Sequence, residues 1–378
     1  MTGADLPHEA YLTALCSLKE VGPGRLRWML ALGSPEEVWF RLRAGRLPTP
    51  PRRVGPAELP SSWAAQCTTV DPRRCWERCE RLGVGVVSLG GAGYPPALLA
   101  DLSPPVVLFH LGDPDRITSP RVGIVGTRRA TGYGLQVARE LGRDLGAAGV
   151  AVVSGLALGI DASAHHGVVD VDDGAAPIAV VAAGLDAPCP RRNRELAALI
   201  VERGVVFSEV PPGVEALPWR FPVRNRVIAA LSDVLVVVES PGAGGSMHTV
   251  REAMDRDRPV LAVPGPVNSS ASEGTNRLIA DGAQIATGAG DVLLALGLAG
   301  HVASAAPQRS ADSREPPTGD AAVVLDAVGW RPVSVEQLAR QCGLDFAGIS
   351  GAVTTLESAG WVRRTDGWIE RVARPDGP

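Results

Sequence analysis

Short apolar runs recur through the middle of the chain, and between them apolar residues fall at helical spacing. The runs cover residues 84–88, 122–125, 150–154, 178–182, 205–208, 234–239, 260–263 and 284–286. Several are apolar at every position, as strands are when helices cover both faces of a parallel sheet. Strand and helix patterns alternating from about 85 to 297 predict an α/β fold, a Rossmann-like doubly wound sheet.

Ahead of that region, Tyr11, Leu12, Leu15 and Leu18, then Leu26, Met29, Leu30 and Leu32, predict short helices over 9–46. They break at Val21-Gly22-Pro23-Gly24, a turn of helix-hairpin-helix form. Such a turn can offer N–H groups to a phosphate, and it also joins packed helices in proteins that bind no nucleic acid. Five prolines in LPTPPRRVGPAELP, residues 47–60, predict a linker. A second linker is expected at 301–319, where Ala, Ser and Pro dominate without an apolar period. Beyond it come a helix over 321–328, one opening at Ser334 with Gln337 as a capping box, and a third over about 345–358. Two strands meeting at Thr365-Asp366-Gly367 complete the pattern of a winged helix. The expected domains are a SAM- or helix-hairpin-helix-like helical domain with its linker at 1–60, the Rossmann-like domain at 61–300, a linker at 301–319 and a winged helix at 320–378.

Charge narrows the partners. With 37 basic and 41 acidic residues the formal charge is −4, so a polyanion would have to be held by a local patch. Lys19 is the single lysine, which leaves 37 − 1 = 36 arginines. Hydrophobic residues make up 45% and charged residues 21%, a globular composition with chain enough for two or three domains. No apolar run reaches the roughly 18 residues of a membrane span, and MTGADLPHEAYL lacks a signal-peptide pattern, so a cytoplasmic protein is expected. The six cysteines show no C-x-x-C spacing and read as reduced structural thiols, with no metal site.

Doubly wound sheets bind ligands beyond the carboxyl ends of their strands. Gly126-Thr127-Arg128-Arg129-Ala130-Thr131-Gly132-Tyr133-Gly134 follows the run ending at Val125, and Gly155-Leu156-Ala157-Leu158-Gly159-Ile160-Asp161 follows Ser154. A third loop, Ser240-Pro241-Gly242-Ala243-Gly244-Gly245-Ser246-Met247-His248-Thr249, follows Glu239. Glycine lets backbone approach a ligand, and a helix N-terminus aims free N–H groups and partial positive charge at it. The spacing is not G-x-G-x-x-G, no acidic residue ends the second strand, and with one lysine at position 19 no P-loop exists, so no cofactor is expected. Guanidinium stands in its place: Arg128 and Arg129 on the first loop, and Arg224 and Arg226 around Asn225 in RFPVRNRVIA, residues 220–229. A planar fork of donors matches phosphate oxygens and stays charged at any relevant pH.

Together these stretches resemble the DprA (Smf) family of DNA-processing proteins over nearly the whole chain. The resemblance rests on IVGTRRAT (124–131), SGLALGIDASAH (154–165), CPRRNRELAALI (189–200), SEVPPG (208–213), FPVRNRVIA (221–229), VVVESPGAGGS (236–246) and AVPGPVNSSASEGTNRLIADGA (262–283). It implies a cytoplasmic homodimer that binds and protects single-stranded DNA and helps load RecA onto it during natural transformation. On matching positions Arg128, Ser154, Gly155, Gly159, Arg224, Asn225 and Arg226 would line the phosphate-holding pocket. Gly126, Thr127, Arg129, Gly245 and Ser246 complete the expected DNA-binding set. Two departures stand out: Leu158 where many relatives carry lysine, and Ser246-Met247-His248-Thr249 in place of Ser-Leu-Ile-Thr.

Catalysis is not expected. Ser154, Asp161 and His165 could share a site, but G-x-S-x-G is absent, and Asp161 at a helix start reads as a cap or an acceptor for loop N–H groups. The alternative is a Rossmann-like nucleotide phosphoribohydrolase with a P-G-G-x-G-T-x-x-E loop. Around Gly244-Gly245 the glycine and threonine fall out of register, and Arg251 takes the glutamate position. The third winged-helix helix contains no Arg or Lys, whereas Arg363, Arg364 and Arg371 make the wing basic. That domain is therefore expected to contact protein, or DNA only through its wing.

Overall fold

The computed structural model describes residues 6–117, 120–186, 190–297, 315–328, 332–365 and 367–372. Most of the expected linker at 301–319 lies outside the described residues, as do Cys189 and Asp366. Nine strands make one sheet: β1 (Gly85–Ser88), β2 (Val107–Gly112), β3 (Arg121–Val125), β4 (Ala151–Ser154), β5 (Ile178–Val181), β6 (Val205–Ser208), β7 (Val234–Val237), β8 (Val260–Ala262) and β9 (Gln284–Ile285). All eight expected runs are strands. The addition is β2, which follows a single-turn helix, Pro96–Leu99, and lies between Pro104-Pro105 and Asp113-Pro114. Those flanks read as turns and hide it.

The spatial order is β1-β2-β6-β5-β4-β3-β7-β8-β9. From β6 to β9 all neighbours are parallel, while β2 runs antiparallel to both β1 and β6. The chain winds outward from β3 through β4, β5 and β6, then returns to β7 and winds the other way. Its winding reverses between β3 and β7, where Val125 pairs with Val237.

Alternate strand residues feed opposite faces. Val125, Val153, Val180 and Val237 pack with Val227, Ile228 and Leu231 of the helix Arg220–Leu231 and with Val250 of the helix Ser246–Met254. Val122, Ile124, Val152 and Val236 face the other way, onto the helices Gly132–Ala147 and Ile160–Val169. These two helices meet closely. A Cβ on Gly142 would run into the Ala164 carbonyl oxygen, and one on Gly167 into that of Arg139.

The remaining stretch of this second face, over β2, β5 and β6, is covered by the helix Arg194–Arg203 and by the N-terminal helices. Leu12, Leu15 and Trp39 share that core with Leu59, Trp63 and Cys79. The helical layer therefore runs on to Leu82, past the expected boundary at 60. The proline-rich stretch is packed as well: Leu47 is buried, and Arg25 Nε donates to the Val54 carbonyl at 3.1 Å. The hairpin turn faces the sheet domain, since a Cβ on Gly22 would lie 3.3 Å from the Trp219 ring.

At the C-terminus β10 (Val333–Ser334), β11 (Val362–Thr365) and β12 (Trp368–Arg371) form an antiparallel sheet beside three helices, Asp320–Ala327, Val335–Cys342 and Phe346–Ser358. The expected capping box forms: Gln337 N donates to Ser334 Oγ at 3.3 Å and Ser334 N to Gln337 Oε1 at 3.1 Å. Val324, Leu338, Val353, Leu356 and Ile369 give this winged helix a core of its own. The fold is thus a Rossmann-like α/β sheet with an N-terminal helical layer and a C-terminal winged helix. Among the described residues no helix is long and apolar enough to cross a membrane.

Candidate functional site

A cleft of about 600 Å³ opens where the winding reverses. Its walls are the loop after β3, the first turns of the helix Arg220–Leu231 and the loop after β7. The loop after β3 is anchored at both ends by Glu239. Thr127 N donates to the Glu239 carbonyl at 2.7 Å, and the buried Glu239 carboxylate accepts from Thr131 N at 2.9 Å and Thr131 Oγ1 at 2.6 Å. Thr131 Oγ1 in turn caps the helix Gly132–Ala147 by accepting from Gly134 N at 3.2 Å. Only glycine fits at 126, where a Cβ would come within 2.7 Å of the Glu239 carbonyl oxygen.

Arg128 and Arg129 project from this loop and are exposed. The Arg128 guanidinium lies 4.7 Å over the Phe221 ring, an arrangement that holds it against the cleft wall with its donor edges open. Among the described residues neither arginine has an ion-pair partner.

Behind the first loop sits the one after β4. Its backbone enters the left-handed region at Leu156 (φ 53°) and Gly159 (φ 81°), and three side chains hold it there. Asp161 Oδ2 accepts from Gly155 N at 3.2 Å and Ala157 N at 3.4 Å. Asn193 Nδ2 donates to the Leu156 carbonyl at 2.9 Å, and Arg224 Nη1 donates to the Gly155 carbonyl at 2.7 Å and to that of Val180. Burial pushes Arg224 down to about 10, which leaves it charged near neutral pH, and raises the Asp161 carboxyl against the pull of Arg224. Ala157 and Asp161 reach the cleft, whereas Ser154, Gly155 and Gly159 lie behind it. Ser154 Oγ donates to the Ile124 carbonyl at 2.6 Å. A Cβ on Gly159 would strike the Thr127 carbonyl, so this glycine lets the second loop back the first.

The arginine-rich helix divides its labour. Successive helical residues are roughly 100° apart, so positions 224 and 226 point in nearly opposite directions. Arg224 lines the cleft. Arg226 does not, contrary to the expectation that it would: it pairs with Glu209 and donates to the Ser103 carbonyl. Burial pushes the Glu209 carboxyl up, and Arg226 opposes that shift. Between them Asn225 joins helix to loop, with Oδ1 accepting from Arg224 Nε at 3.2 Å and Nδ2 donating to the Gly245 carbonyl at 3.4 Å. Gly245 and Ser246 line the far wall, where Ser246 Oγ donates to Ser240 Oγ at 2.8 Å.

Gly126, Thr127, Arg128, Arg129, Arg224, Asn225, Gly245 and Ser246 are thus brought together. Sequence reasoning placed His248 on the third loop without counting it in the DNA-binding set, and missed Asn193 and Glu239 as supports. Glu239 closes an otherwise apolar run and Asn193 lies inside the block 189–200, so both had a signal. His165, weighed as a catalytic partner of Ser154, is fully buried, and burial lowers its pKa to about 3.

Two family models match the chain: DNA recombination-mediator protein A over residues 85–297, and the DprA winged helix domain over residues 308–367. The chain is 34% identical over 311 residues to Protein Smf of Escherichia coli (strain K12), covering 81% of this chain and 82% of that one. It is 37% identical over 265 residues to a putative DNA processing protein DprA of Mycobacterium tuberculosis (strain ATCC 25618 / H37Rv), covering 70% and 68%. Among solved structures, DNA processing protein A from Streptococcus pneumoniae superposes with a TM-score of 0.63 at 28% identity, covering 76% of this chain and 96% of that one. DNA processing protein A from Helicobacter pylori, solved for its single-stranded DNA binding mode, gives a TM-score of 0.51 at 30% identity, covering 56% and 95%.

Proposed function

The chain belongs to the DprA/Smf family of DNA-processing proteins, and from that premise we propose that it grips single-stranded DNA in the cleft between β3 and β7. The reading extends to a cytoplasmic homodimer that loads RecA on incoming DNA in natural transformation. One observation carries the DNA-binding part: Arg128 and Arg129 stand exposed, without ion-pair partners among the described residues, beside the N-termini of two helices. Guanidinium forks and free N–H groups meet phosphate without reading bases, so little sequence preference is expected. Phe221, whose ring face is covered by Arg128, could stack a base only if that guanidinium moves or on its other face. No catalytic step belongs to this reading. Asp161, the carboxylate that lines the cleft, is committed to loop N–H groups.

With Arg226 turned away and Arg224 buried against the Gly155 and Val180 carbonyls, about two phosphates are neutralised, and log K should fall with log salt at a slope of about −1.4. Anisotropy of labelled oligo-dT, with a duplex as competitor, tests this. Arg128→Ala with Arg129→Ala should weaken oligo-dT binding at least ~10-fold and flatten the slope by about 1.4. A folded double variant that binds as tightly as its parent at every salt concentration removes the proposal.

A further inference from the structure

We propose that His248 is a proton-dependent phosphate contact in this cleft, so that binding a single strand takes up a proton; the inference rests on the reading of the cleft given above. His248 is exposed and lines the same cavity as Arg128, Arg129 and Asn225. It stands in the first turn of the helix Ser246–Met254, at the end where N–H groups and the helix dipole draw an anion. Of the side chains there, an imidazole is the one whose charge changes near neutral pH.

The charged groups around it come from four elements. The loop after β3 contributes Arg128 and Arg129, the helix Arg220–Leu231 contributes Arg224, and the helix Ile160–Val169 contributes Asp161, whose Oδ2 is taken by Gly155 and Ala157 N–H. On its own helix lie Arg251 and Glu252, the latter held by Arg256 at 2.6 Å. A phosphate entering among these groups brings negative charge to the imidazole and favours its protonated form. The sign follows from linkage. The proton is held more tightly in the complex than in the free protein, so affinity is gained as pH falls through the imidazole range and lost as pH rises.

The test is oligo-dT affinity from about pH 5.5 to about pH 8 at fixed ionic strength, with calorimetry in two buffers of different ionisation enthalpy to count protons. Wild-type affinity should be several-fold, up to about tenfold, higher at the acidic end. Calorimetry should show fractional proton uptake near neutrality. His248→Gln should flatten the profile and abolish the uptake, and His248→Lys, always charged, should bind tightly at both ends. A flat wild-type profile overturns the inference, and so does a slope that His248→Gln leaves intact. A folded wild type that binds no oligo-dT at any pH removes the cleft reading itself.

Discussion

Two residues apart in RFPVRNRVIA, Arg224 and Arg226 have the same chemistry and different work, and the difference is measurable as stability. Arg226 and Glu209 pair with side chains only 9% and 13% exposed. Arg226→Ala would leave a buried carboxylate without its counter-charge, a loss of about 3–5 kcal/mol. Urea unfolding should show it, and Glu209→Leu in the same chain should restore most of the loss, since an apolar pair carries no desolvation penalty. Unchanged unfolding in Arg226→Ala would mean that the pair contributes nothing. Arginine clustering was legible in the sequence, but which face of the helix meets the sheet was not. A helix whose first turns mix Phe221, Pro222 and Val223 with three arginines, and which is uniformly apolar only from Val227, gives no clean stripe by which to orient those turns.

Pairs of helices position the loops, and here small residues set the distance. The Gly142 and Gly167 contacts bring the helices Gly132–Ala147 and Ile160–Val169 together, and each helix begins at a cleft loop. Gly142→Val would drive a side chain into the Ala164 carbonyl and should cost ~3 kcal/mol, the upper end of overpacking, with a matching fall in melting temperature. Gly24→Ala is the control: it meets open space inside the helix Pro23–Leu30 and should be neutral or stabilising by up to ~1 kcal/mol. Equal melting temperatures for the two variants would refute the packing argument. At this scale the sequence reads well where strands are parallel and buried, because continuous apolar runs announce them. It reads poorly at β2, an antiparallel strand between prolines, and at residues 47–60, where proline content suggests a spacer but Leu47 and Leu59 are buried.

For an acidic molecule to hold a polyanion the contact must be local, and the winged helix is expected to take little part in it. Its helix Phe346–Ser358 lacks Arg and Lys, and it has a hydrophobic core of its own. It does touch that domain: Glu370 lies 2.8 Å from where a Gly132 Cβ would be, and Thr365 and Trp368 face Thr131 and Tyr133 across a second cavity of about 560 Å³. None of these wing residues lines the arginine cleft. Deleting residues 320–378 should therefore leave oligo-dT affinity within about threefold of the parent, as expected when no phosphate contact is lost. A collapse of binding would instead place the wing on the DNA path. The Trp219 ring against Gly22 has a further reach. Trp219 is the residue from which the arginine-bearing helix starts, so the N-terminal hairpin turn packs against the base of that helix. A bulkier residue at position 22 should therefore push on the start of that helix, and so on Arg224 and Asn225, without entering the cleft.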